Sequence, residues 1–98
     1  MKRILNERDA AELLEALEYV FRPNISVSFP YPHDVCRLLL DSCVNKLRSL
    51  SLLTCFSSDE FRFLYLVMSE YTARMELIDC PVAAELCILR DKIGHFAP

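Results

Sequence analysis

A single glycine, Gly94, and five prolines punctuate this chain, and between them apolar residues return every three or four positions. That period marks helices that bury one face. Ala10, Leu13, Leu14, Leu17, Val20 and Phe21 form a first stripe, with Glu12, Glu15 and Glu18 lying off it. Asn6 can accept hydrogen bonds from free amides of the opening turn, and Asp9 places negative charge at the positive end of the helix dipole. Arg22-Pro23 ends the stretch, because a residue before proline avoids the helical region. The first helix is therefore expected over about Glu7 to Phe21.

The second stripe is Cys36, Leu40, Cys43, Leu47 and Leu50, on a helix that starts near Pro32 with Asp34 close behind. Arg37, Asp41, Asn45 and Arg48 form its wet side. The third helix has the clearest start. Ser57 and Glu60 fit a capping box, and Phe56 and Phe61 stand at the hydrophobic-staple positions. Phe61, Leu64, Met68, Tyr71, Met75 and Ile78 line one seam, while Phe63, Leu66 and Val67 make the opposite side apolar too. A helix apolar on two sides is either central or faces a partner. In the last helix, Pro81 suits the first turn, Val82, Leu86, Leu89 and Ile93 repeat at helical spacing, and Gly94 is expected to end it in the left-handed conformation.

Between helices one and two, Ile25, Val27 and Phe29 alternate with serines, a strand-like period, but Pro30 and Pro32 argue against a sheet. An extended, proline-flanked connection over about 23–33 is the expectation. Residues 49–56 are ambiguous between a helix end and an extended piece. The fold class is thus all-α: a single domain over 1–98, built as a four-helix bundle or as two packed helical hairpins.

Five cysteines raise the question of chemistry. Cys36 and Cys43 stand seven apart, as do Cys80 and Cys87. On a helix such residues share a face but lie about 10 Å apart along the axis. A disulfide needs β-carbons about 4 Å apart, and zinc needs sulfurs about 2.3 Å from one ion. Neither pair can meet those distances within one helix, so Cys36 and Cys43 read as core filling. His33 and His95 add donors, but no metal-ligand motif joins them, and no metal is expected. Cys80 precedes Pro81 near the expected start of the last helix, where the dipole can stabilise a thiolate. Asp79 beside it opposes that effect. Cys80 is the reactive-thiol candidate.

Composition narrows the function classes. One glycine leaves no phosphate loop, nucleophile elbow or dinucleotide fingerprint, so neither an enzyme nor a cofactor is expected. The formal charge is −3, with eleven Lys and Arg scattered without a run, which argues against nucleic acid. A helix-turn-helix reading of the middle helices puts "SDEFRFLYLVMSEY", opening on two acids, where a recognition helix should be. The most apolar run, "FLYLVM", is far shorter than the roughly 18 residues of a membrane span, and the N-terminus lacks a signal-peptide pattern. A reduced, cytoplasmic protein is expected. Hydrophobic residues make up 53% of 98, a large share for so small a domain to hide, which favours a permanent partner. The leading expectation is a helical protein–protein interaction module of adaptor, chaperone or inhibitor type, as a homodimer or small helical heterocomplex. Phe29, Tyr31, Phe63, Leu66 and Val67 are its interface candidates. A redox-responsive protein using Cys80 and a bundle binding an apolar ligand are the alternatives.

Overall fold

The computed structural model of the chain describes residues 5–22, 28–50 and 54–96. Four helices follow one another: α1 (Glu7–Val20), α2 (His33–Arg48), α3 (Ser58–Leu77) and α4 (Ala83–Gly94). No strand occurs among the described residues. Ile25 and Val27 of the strand-like alternation lie outside them. The architecture is the expected all-α four-helix bundle.

Local chemistry sets the helix starts. Asn6 Oδ1 accepts from the Asp9 amide at 2.8 Å, and Asp9 Oδ2 accepts from the Asn6 amide at 3.2 Å, a complete capping box. Ser57 and Glu60 do the same for α3, at 3.1 and 2.8 Å. The Phe56 and Phe61 rings of the staple meet at 5.5 Å. Pro32 is the N-cap of α2 and contributes no side-chain bond, so that helix begins without this support.

α3 is the axis of the bundle and packs most extensively on α4, next on α1 and least on α2. Its buried side chains include Phe61, Phe63, Leu64, Val67, Met68, Tyr71 and Met75. They meet Leu13, Ala16, Leu17 and Val20 of α1 and Leu86, Leu89 and Ile93 of α4 in one core. Thr72 is buried as well, and its hydroxyl donates to the Met68 carbonyl at 2.8 Å, which satisfies it. Lys92 Nζ reaches Asp9 Oδ2 at 2.7 Å and fastens the end of α4 to the start of α1.

Three expectations about the last two helices are corrected. Ile78 is the C-cap of α3 and Val82 the N-cap of α4, and both are exposed instead of belonging to the seams. Gly94 is a helical residue without positive φ. Its missing side chain instead makes room for a ring: a Cβ there would stand 3.3 Å from Tyr65 Cε2. The left-handed residue is Asp79, at φ 51°. It ends α3 in a Schellman motif, in which the Cys80 amide donates to the Met75 carbonyl at 2.9 Å and the Asp79 amide to the Glu76 carbonyl at 3.1 Å.

Candidate interaction site

Of the five expected interface residues, Phe63 and Val67 are fully buried, which removes both from any docking surface of the folded chain. The second apolar side of α3 is covered from within. Phe21 and Phe29 stack at 5.5 Å, and both lie within 6 Å of the Phe63 ring centroid. Tyr31 meets Phe63 edge-on at 6.3 Å. Residues 28–32 therefore form a strap over Phe63, with Phe29 and Tyr31 half-buried against it instead of free. The Tyr31 hydroxyl is buried without a hydrogen-bond partner, and burial raises its pKa. Leu66 is half-buried.

The thiols divide by environment. Cys43 is fully enclosed, and burial, with the Glu60 charge nearby, pushes its pKa up to about 12. Burial also raises Cys36. The Cys87 thiol donates to Glu76 Oε1 at 3.1 Å, which raises its pKa too. Protonated thiols of this kind are poor nucleophiles at neutral pH. Cys80 lies two residues before the Val82 cap, in the connection and not on α4, and packs half-buried against the core. The helix-start position that singled it out is not the one it occupies. Among the described residues no three His, Cys, Asp or Glu side chains gather as a metal set. No helix there is long and apolar enough to cross a membrane.

The feature that periodicity did not reveal lies between α1 and α2. α2 buries only Cys43 and Leu47, while Leu40 and Leu50 of the same seam, and Val44 beside them, stay half-buried. A groove of about 690 Å³ opens there, floored by Leu14 and Leu17 of α1, Phe21 at its C-cap, and Leu40 and Val44 of α2. Glu18, Asp41, Asn45 and Arg48 stand at its edges. Leu14 and Arg48 also line a second depression of about 410 Å³, which passes Ala10, Ala11, Leu47 and Leu50 toward Glu7. The two form one channel along α1. Leu38, 69% exposed, stands three residues before Asp41 on α2, outside the groove lining.

What holds α2 in place is partly polar. Glu60 accepts from Lys46 Nζ and Ser42 Oγ, both at 2.6 Å, while also closing the α3 cap. Burial pushes its carboxyl up. The Lys46 ion pair and the Ser42 and Ser57 hydrogen bonds outweigh that and hold its pKa below the ordinary glutamate value. These bonds tie α2 to α3 on the side away from the groove, while α2 packs more extensively on α1 and leaves the groove beside that contact. Comparison of the chain with known protein families, curated proteins and solved structures returns no match.

Proposed function

We propose that this chain is a non-enzymatic helical module that works by binding another protein. One observation carries the reading: a helix seam with the spacing of a core, on α2, meets its neighbour along only part of its width and leaves open a groove with an apolar floor and polar edges. Pockets that take small ligands are typically concave and largely enclosed. This channel runs along a helix pair and carries charge on its edges, the form of a surface that receives a helix. The exposed side chains Val35 and Leu38 on α2 add apolar area on the same helix. Cross-linking of the full chain in its native cell, followed by mass determination, tests the proposal. A discrete complex that disappears with Leu38→Asp and Leu40→Asp, in chains that melt as cooperatively as wild type, is the expected result. Monomer alone, in the cell and by light scattering in reductant, would overturn it.

A further inference from the structure

We propose that the α1–α2 channel receives one amphipathic helix of net positive charge from a different protein, with lysine or arginine facing Glu18 and Asp41. The inference rests on the interaction-module reading and adds the partner's chemistry. The channel lining extends from Glu7 to Phe21 of α1, about 21 Å at 1.5 Å per residue, which matches about four turns of a docked helix. Its floor offers leucine, valine and phenylalanine in the larger groove and leucine and alanine toward Glu7, an apolar run that a stripe of i, i+3, i+7 anchors can follow.

Charge on the walls selects the partner. Among the described residues, Glu18 and Asp41 make no ion pair, although Glu12, Asp9, Glu60 and Glu70 all do. Glu7, at the far end of the channel, is also unpaired. Arg48 is the one cation lining the channel among the described residues. Three unpaired carboxylates against a single guanidinium make the walls acidic. A second copy of the chain fits poorly, since it carries a net charge of −3 and its α1 holds Glu7, Asp9, Glu12, Glu15 and Glu18 against Arg8 alone. Like charges facing each other across an interface disfavour that pairing.

The test uses the full chain and two fluorescein-labelled, helix-favouring peptides of about 14 residues. Both carry leucines at i, i+3 and i+7; one has lysines beside them and the other glutamates. Fluorescence anisotropy is read on wild type and on the Glu18→Lys/Asp41→Lys double variant. Both positions are exposed and unpaired, so thermal melting should be unchanged. The lysine peptide is expected to bind wild type about tenfold tighter than the glutamate peptide, with the preference inverted in the double variant. Equal binding of both peptides, a preference that survives charge reversal, or no saturable binding would overturn the assignment. So would a wild-type dimer that the double variant loses, because the channel would then hold a second copy. A cross-linked cellular complex that persists while the peptides fail would leave the interaction module standing and move its site elsewhere.

Discussion

α2 and α3 are both amphipathic and carry seams of similar spacing, yet they end in different states. α3 buries nine of its twenty residues and α2 two of its sixteen, so one is a core element and the other a cover. Two things separate them. α3 has apolar side chains on opposite faces and sits where three neighbours can cover it, whereas α2 offers one stripe and shares it between two helices. α3 also begins with a reciprocal cap and an aromatic staple, while α2 begins at a proline that supplies no side-chain bond. Stability should concentrate on α3 and its partners, and the region free to meet another molecule is the thinly held one.

The sharpest way to break this contrast is Phe63→Ala. It removes a fully buried ring that touches Phe21, Phe29 and Tyr31, and should cost about 3–5 kcal/mol. Chemical denaturation checks it. A loss below about 1 kcal/mol would mean that the strap collapses into the cavity, and that the centre is less firmly packed than it looks.

Glu60→Gln tests the link between the two helices. It keeps the shape but removes the charge that Lys46 and Ser42 address, and should cost about 2 kcal/mol at neutral pH. The sign with pH follows from the lowered carboxyl pKa. The contribution is full above the unfolded value, about 4.3, and drains away as pH falls through the lower folded value. The gap between wild type and variant should therefore narrow as pH falls below about 4.3. A constant gap would mean that Glu60 acts through geometry alone.

How much of this was legible beforehand depends on the range of the forces involved. The caps at Asn6 and Ser57 and the staple follow from residues within one turn of each other and appear where expected, and the four helices come in the expected order, with α4 starting after a Val82 cap instead of at Pro81. The two apolar sides of α3 were equally visible, but periodicity says only that a face needs cover. That Phe21, Phe29 and Tyr31 supply it is a tertiary fact. Gly94 misled because a helix end and a close ring approach both call for glycine, and Asp79 could take the left-handed position unaided. The α1–α2 channel had no local signal: it depends on how far α2 stands from α1, which the seam residues do not encode.

Two smaller changes probe the cover itself. Leu40→Ala, on the channel floor, should cost about 1 kcal/mol, against at least twice that for Leu64→Ala in the core. Equal losses would mean that α2 is as tightly packed as α3 and would close the case for an open channel. Tyr31→Phe should stabilise by about 1 kcal/mol, because it removes a buried hydroxyl that bonds to nothing. A loss instead would show that the hydroxyl finds a partner in solution.

The smallest effect lies at the tight end of the contrast, in the α3–α4 turn. A left-handed conformation costs an ordinary L-residue about 1–2 kcal/mol, less for Asp, whose short side chain can bond locally. Asp79 bears that cost so that the Met75 and Glu76 carbonyls are satisfied. Glycine removes the clash but adds freedom to the unfolded chain, so Asp79→Gly should gain only about 0.5 kcal/mol. Alanine tolerates the left-handed region less well than aspartate and should lose a similar amount. The order Gly above Asp above Ala, read by thermal melting, places strain inside the best-packed part of the molecule. An unchanged or reversed order would mean that the turn relaxes, and that the α3–α4 hairpin tolerates more motion than its burial implies.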